Sequence, residues 1–514
     1  MDLWRTKSVE ASIADTEEPE HSLKKGLGAL DLVVFGVGVS VGAGIFVLTG
    51  QAAASNAGPA VALSFVIAAV ACALAAVCYA EFASTVPVAG SAYTFSFATL
   101  GELVAWTIGW DLVLEFVVGA AAVSTSFSAY LQVVLGQVGI TLPTAITTAG
   151  DSFTDLSDGV LNLPAALLVL GLTVVIATGI KLSSRLNQVL TAIKVGVVLL
   201  VIVVGAFYVS TANWSPFVPP SQGAGAGGPG AEESTLTAPL VQTLFGLEPS
   251  VFGVGGVVAA AALVFFAFIG FDVVATTAEE TRRPQRDVPI GILGSLAVVT
   301  VLYVAVSLII TGVRPYTEID PEDGAPLATA FTAIGVGWMG SVVAVGACLG
   351  LIAVTMILII GQTRVAFAMA RDGLLPRSLA RTDPRTGTPV RITVITGTVI
   401  AVLAAFVPLS ELSLLVNIGT LFAFILVSVG VVVLRRTRPD LQRSFRVPLV
   451  GVVASLSVLA CLYLMLNLSL ETWIRFLVWM ALGYVVYFVY ARKHSVLAGH
   501  PERTGRPDAS ARRS

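Results

Sequence analysis

Charge is scarce in this chain. Asp, Glu, Lys and Arg make up 12% of its 514 residues, against 56% hydrophobic residues, and the mean hydropathy is +0.90. Soluble domains usually carry about 25% charged residues, so a water-soluble globule is excluded. Histidine is scarcer still: His21, His494 and His500 all lie in the terminal tails. That excludes a histidine proton relay inside a membrane and a histidine-ligated metal there. The cysteines Cys72, Cys78, Cys348 and Cys461 fall in apolar segments and form no C-x-x-C pair. They read as small hydrophobes, not as a disulfide or metal site. No G-x-x-x-x-G-K-[ST] loop is present, so the chain does not hydrolyse ATP through a P-loop. Residues 1–30 carry charges of both signs and no apolar core, so no cleavable signal is expected. The expectation is a protein with no catalytic residues, metal or cofactor, and no nucleic-acid partner.

What the chain does have is long apolar runs. A helix needs about 20 apolar residues to cross a bilayer, and stretches of that kind recur throughout. The sequence predicts twelve spans: 31–50, 59–81, 103–135, 162–180, 186–209, 254–279, 289–312, 337–369, 390–408, 412–434, 448–469 and 471–490. They are expected to be helices, because backbone polar groups in lipid must be satisfied within the segment or in a closed barrel. These runs are also too long and too uniform for alternating barrel strands. With the N-terminus inside, 26 of the 29 Lys and Arg residues fall on the cytoplasmic side, the excess that orients membrane proteins. Both tails, 1–30 and 491–514, are therefore expected in the cytoplasm. The longest loop, 210–253, contains PPSQGAGAGGPG and no Lys or Arg, and reads as a largely disordered outer loop.

The first span contains FGVGVSVGAGIFVLTG, with Gly36, Gly38, Gly42 and Gly44 close together. Each glycine costs a helix interior about 1 kcal/mol relative to alanine. Gly38-x-x-x-Gly42 has one ordinary use, close packing of two helices. The alternative is a broken helix that frees backbone groups for a ligand. The sixth span, VFFAFIGFDVVATTAEE, has Gly270 near its middle and Asp272 two residues on. An aspartate in lipid costs about 2.5–3.5 kcal/mol unless satisfied, and at this point it would cap a half-helix starting at residue 273. If spans 1–5 and 6–10 are repeats of opposite topology, the two breaks occupy matching places. Paired interrupted spans point to a transport site near the bilayer midplane.

Several stretches resemble the amino acid–polyamine–organocation superfamily, and within it the cationic amino acid transporter family and its bacterial relatives. They are GAGIFVLTG (42–50), CYAEFAS (78–84), VPVAGSAYTFSFATLGE (86–102), GWDLVLE (109–115), FAFIGFD (266–272), EETRRPQRDVPIGI (279–292) and GQTRVAFAMARDGLLP (361–376). The resemblance implies an all-α membrane protein of ten helices in two inverted five-helix repeats, plus two peripheral helices. The repeats would span 31–209 and 254–434, separated by the 210–253 loop, and the peripheral pair 448–490.

A free amino acid offers a carboxylate and an ammonium. The amides of Ala43, Gly44 and Ile45, at the positive end of the second half of span 1, suit the carboxylate. Carbonyls expected to be unpaired at Ser40, Val41, Phe266, Ala267 and Ile269 suit the ammonium. Gly42 and Gly44 would admit a close backbone approach. The resemblance makes these positions the substrate cradle, and it makes Met356 in span 8 the residue that narrows the pocket toward small or medium neutral side chains. Asn187, Thr191 and Lys194 form a polar stripe on span 5 that should face the bundle. Related folds that use sodium hold a cation between spans 1 and 8, where the Lys194 ammonium would stand in, and the family associates the matching lysine with proton coupling. Glu115, an intramembrane carboxylate at similar depth in span 3, is expected to modulate that lysine. Glu81 and Arg282–Arg286 read as solvated interface residues. The expected function is proton-coupled uptake of an amino acid across the plasma membrane by alternating access. An amino acid or polyamine exchanger and a non-transporting membrane sensor are the alternatives. Substrate, proton and membrane lipid are the expected partners.

Overall fold

The structure is a computed structural model, and it describes residues 26–85, 91–149, 159–179, 184–223, 236, 238–246, 250–383, 387–439, 441 and 443–499. The first 25 residues and those from 500 on, assigned above to cytoplasmic tails, lie outside the described residues.

Among the described residues the fold is all-helical apart from two short strands, with eight helical stretches long and apolar enough to cross a membrane and four shorter apolar helices. In chain order the α-helices of twelve or more residues are α1 (Ala29–Ser40), α2 (Val61–Thr85), α3 (Glu102–Gln137), α4 (Leu163–Ala177), α5 (Ser184–Ala206), α6 (Gly253–Val264), α7 (Pro284–Val313), α8 (Gly337–Arg371), α9 (Val390–Phe406), α10 (Leu409–Thr437), α11 (Val450–Leu466) and α12 (Leu470–Val486). α3 is the central post: 89% of its most apolar window is buried inside the protein, against 28% for the Leu470–His494 stretch at the periphery. At 1.5 Å per residue, α3 is about 54 Å long, more than the roughly 30 Å hydrocarbon thickness. α8 lies against it where Gly361 faces the Phe116 ring. The outer helices instead present Leu459, Leu477, Val478 and Val485 outward, all at least 57% exposed, the apolar surface that lipid covers.

α12 is fastened to α3 by tryptophans. The Trp110 and Trp479 rings stack with centroids 4.6 Å apart, and each indole N–H donates to the other's backbone carbonyl, at 3.0 and 3.2 Å. Trp106 donates to the Gly483 carbonyl at 3.0 Å. Any Cβ at Gly483 would sit 2.8 Å from Trp110 Cγ, so the close approach needs glycine there.

The end of the bundle rich in Lys and Arg is tied by two knots. Glu81, at the end of α2, is 1% exposed and accepts from Arg435 Nε at 2.8 Å and from the Val447 amide at 2.6 Å, with Arg443 Nε at 3.5 Å. This corrects its reading as a solvated interface residue: the two arginines and the amide supply inside the protein what water would supply outside it. The second knot lies at the foot of α3. There Glu102 accepts from the Tyr487 hydroxyl at 3.1 Å and from Ser495 Oγ at 2.6 Å, while the Val496 amide donates to the Asp372 carbonyl at 3.0 Å.

The loop between α5 and α6 departs from its expected disorder where it is described; residues 224–235, 237 and 247–249 lie outside the described residues. Its two flanks are built. Trp214 Nε1 donates to the Leu308 carbonyl at 3.3 Å and Asn213 to the Gly312 carbonyl at 2.7 Å. The strands β1 (Gln222–Gly223) and β2 (Ser250–Val251) pair antiparallel, and the helix Leu240–Phe245 is held by the bond from the Leu240 amide to the Leu468 carbonyl. Aromatic and amide side chains anchored on helix ends supply the order that the Gly/Pro composition does not announce.

Candidate functional site

Both spans expected to be broken are broken. α1 stops at Ser40, Val41 turns to extended backbone (φ −71°, ψ 91°), and the chain resumes as a π-helix over Gly44–Leu48. No backbone bond outside the helices is donated by Ala43, Gly44 or Ile45 among the described residues. These are the leading amides of the resumed helix, where the macrodipole is positive. α6 stops at Val264, passes through a 3₁₀ turn at Phe265–Phe268, and opens at Ile269 (φ −60°, ψ 132°). The helix resumes only for Val273–Thr276.

The four glycines of the first span divide by partner. A Cβ at Gly36 would meet Ser295 of α7, and one at Gly38 would meet Thr191 of α5. These two serve packing. Gly42 has only ordinary contact with Val354 of α8, at 3.6 Å, so Gly38-x-x-x-Gly42 is not a single helix interface. Gly44 lies on the second break: its Cβ would sit 2.8 Å from the Ala267 nitrogen and closer still to Ala267 Cα. Gly270 answers it, with φ +123° and a Cβ position 2.7 Å from Val39 Cγ1 and 3.1 Å from the Ser40 nitrogen. Each break thus contributes a glycine that lies against the other's backbone.

The carbonyls at the breaks are less free than expected. Tyr303 of α7 reaches Ser40 O and Ala267 O, both at 2.7 Å. A phenol carries a single proton, so the two breaks share one donor. Phe266 O accepts from the Ile269 amide at 3.2 Å. Asn417 of α10 donates to Ala262 O at 2.8 Å and Leu263 O at 3.1 Å, serving the orphan carbonyls at the end of α6. Tyr130 of α3 donates to Phe46 O at 2.6 Å inside the π-helix. Sequence reasoning missed Tyr303, Asn417 and Tyr130. Their signal was a buried polar tip in an apolar run, which calls for a partner without naming it.

Asp272 stands at the N-cap position of the half-helix but makes no capping side-chain bond to its later amides. Its Oδ1 turns back and accepts from the Gly270 amide at 3.1 Å, because Asp272 itself already has helical backbone (φ −68°, ψ −29°) instead of the extended backbone of an N-cap.

Lys194 is 1% exposed. Its Nζ donates to the Gly38 carbonyl, and its stem passes Gly350 of α8, whose Cβ would lie 3.1 Å from Lys194 Cδ. The ammonium therefore meets α1 and its stem α8, two residues from where α1 ends. Thr191 of the same stripe is buried with an unpartnered hydroxyl, and Asn187 is half-buried. Glu115 departs from expectation: no ion pair joins it to Lys194. Its charged neighbours are Asp272 and Asp111, and Thr420 of α10 stands beside it. Similar depth along two helices does not by itself bring the two side chains into an ion pair. Met356 is 3% exposed on α8, two residues from the Val354 that faces Gly42.

The amino acid permease family profile matches residues 27–489. Over 495 residues, covering 96% of this chain and 99% of the other, the chain is 47% identical to a branched-chain amino acid permease of Bacillus subtilis. It is 43% identical, with the same coverage, to a methylthioribose transporter of the same organism. A vacuolar cationic amino acid transporter 4 of Arabidopsis thaliana is 38% identical over 439 residues, 85% of this chain and 68% of that one. Two touching helix breaks inside an apolar bundle and a match over nearly the whole length agree: this chain belongs to the amino acid permease family and serves amino acid transport.

Proposed function

We propose that the chain imports a small or medium neutral α-amino acid across the cell membrane together with a proton, by alternating access. The observation that carries this reading is the junction of the two breaks, with Tyr303 across it and Lys194 on the Gly38 carbonyl beside it. The free amides of Ala43, Gly44 and Ile45 receive the carboxylate. The ammonium goes to the carbonyl side: Ser40, Val41, Ala267 and Ile269, with Phe266 at its edge. An ammonium has three protons to offer acceptors that Tyr303 serves with one. Met356 bounds the side-chain pocket. The 47% identity to a branched-chain amino acid permease makes branched-chain substrates the first to test.

Protonated Lys194 ties α5 to α1; neutral Lys194 has no charge to hold there, so the two protonation states favour different arrangements of the first span. Glu115 acts through the carboxylates of Asp272 and Asp111 rather than through the lysine. In this reading the chain has twelve spans, residues 31–209 and 254–434 are inverted repeats, 448–490 is peripheral, and both termini lie in the cytoplasm. The lopsided Lys and Arg distribution supports that orientation.

The test is uptake of labelled leucine into proteoliposomes with and without an inward proton gradient, with methylthioribose and arginine as competitors. Wild type should accumulate leucine with the gradient, and Lys194→Ala should bind it without gradient-driven accumulation. Accumulation by the mutant to the wild-type level removes Lys194 from coupling. A requirement for amino acid on the opposite side, with no response to the gradient, makes the protein an exchanger.

A further inference from the structure

At the basic end of the bundle, a surface groove of about 640 Å³ runs along the start of α7 beneath the connection between α10 and α11. Its mouth is polar, formed by Gln285, Arg286 and Ser444; its deeper part is apolar, formed by Ile290, Leu293, Gly294 and Phe445. The helical spacing puts Arg286, Ile290, Leu293 and Gly294 on one face, with Gly294 about 12 Å deeper than Arg286 at 1.5 Å per residue. That span leads from the headgroup region into the outer part of the hydrocarbon core. We propose that this groove holds one anionic phospholipid, its phosphate on Arg286 and an acyl chain along Ile290, Leu293 and Gly294.

Charge complementarity selects the occupant. Arg282, Arg283 and Arg286 are all exposed, and among the described residues none of the three has a carboxylate within ion-pair distance. Arg286 in the first turn of α7, with Arg283 at its N-cap and Arg282 just before it, opposes the helix macrodipole that Asp287 of the same turn favours, and a bound anion relieves that opposition. The headgroup preference follows from Pro289. It lies inside α7 and has no N–H for the Gln285 carbonyl one turn earlier. Ser444 Oγ donates to Gln285 Oε1 at 3.1 Å and keeps its own lone pairs as acceptors. The mouth therefore offers acceptors beside its cations and suits a headgroup that carries hydroxyls as well as a phosphate, as phosphatidylglycerol does. Ile290 is 42% exposed at a depth that an acyl chain reaches.

The experiment reads lipid retention and needs no transport. Detergent-purified full-length protein is titrated with dioleoylphosphatidylglycerol or dioleoylphosphatidylcholine, and bound lipid is counted by native mass spectrometry. Phosphatidylglycerol should be retained at least threefold better than phosphatidylcholine. Arg286→Gln should remove that preference, Arg286→Lys should keep part of it, and Ile290→Trp should lower retention of phosphatidylglycerol by filling the apolar half. Thermal denaturation checks that each variant is folded. If Arg286→Gln does not fold, the Lys and Trp variants decide. Equal retention of the two lipids, or unchanged retention in folded Arg286→Gln or Ile290→Trp, overturns the proposal. Displacement of the lipid by millimolar glycerol 3-phosphate also overturns it, since the site would then hold a soluble phosphate and not a lipid.

Discussion

Gly44→Ala adds one carbon, and the junction of the two breaks gives its cost. The added Cβ would stand 2.8 Å from the Ala267 nitrogen and nearer to Ala267 Cα, whereas unbonded atoms of this size settle at about 3.5–4.0 Å. The obstacle is backbone, so no side-chain rotation clears it: the two broken spans must separate by about 1 Å or more. Overpacking of this kind costs about 1–3 kcal/mol. If that strain falls on the substrate-competent arrangement, it weakens binding by roughly 5- to 150-fold. Gly42→Ala is the internal control, because its Cβ meets only Val354, at an ordinary 3.6 Å. Leucine binding by scintillation proximity, on protein checked by size exclusion and melting, should fall by at least fivefold in Gly44→Ala and stay within twofold in Gly42→Ala. Equal affinities in the two folded variants would refute the contact between breaks as a requirement for binding. A loss confined to Gly42→Ala would place the close approach at the wrong glycine.

Tyr303→Phe removes the donor shared by Ser40 O and Ala267 O and leaves buried acceptors unserved, a cost of about 1–3 kcal/mol. It should lower Tm and raise KM for uptake, and an unchanged KM would separate the hydroxyl from the site. Glu81→Gln breaks a pair in which Glu81 is 1% and Arg435 25% exposed; its Tm should drop more than that of Glu280→Gln, whose pair joins a half-buried Glu280, 30% exposed, to an exposed Arg364, at 48%. Equal melting temperatures would rank the Glu81 knot with ordinary surface pairs. Met356→Ser should extend competition for leucine uptake to longer side chains, arginine included, and an unaltered competition profile would reduce Met356 to packing.

The helix breaks were legible because glycine and aspartate in an apolar run conflict with a continuous span, and the conflict is local. Lys194 was legible for a similar reason: with Thr191 it makes a polar stripe, and a polar stripe in lipid must face protein. What sequence could not supply is azimuth. Helical rise gives the depth of Glu115 and Lys194 but not the direction each faces, and they face different neighbours. The groups that serve the breaks were hidden by distance along the chain: Tyr303 is 263 residues from Ser40, and Asn417 is 155 from Ala262. Glu81 looked like an edge residue because Arg435 lies 354 residues away. The capping role expected of Asp272 failed on backbone conformation, which residue type alone does not fix.

The knot at the foot of α3 bears on how the protein is made. Glu102 is fully buried, yet the hydroxyls of Tyr487 and Ser495 that donate to it are synthesised 385 and 393 residues later. At roughly 5–20 residues per second on the ribosome, α3 enters the membrane about 20–80 seconds before its foot can be closed. During that interval neither of these two hydroxyls is there to meet the carboxylate. The last helix therefore completes the first half of the bundle, and a chain released before Ser495 would leave with this end unsealed.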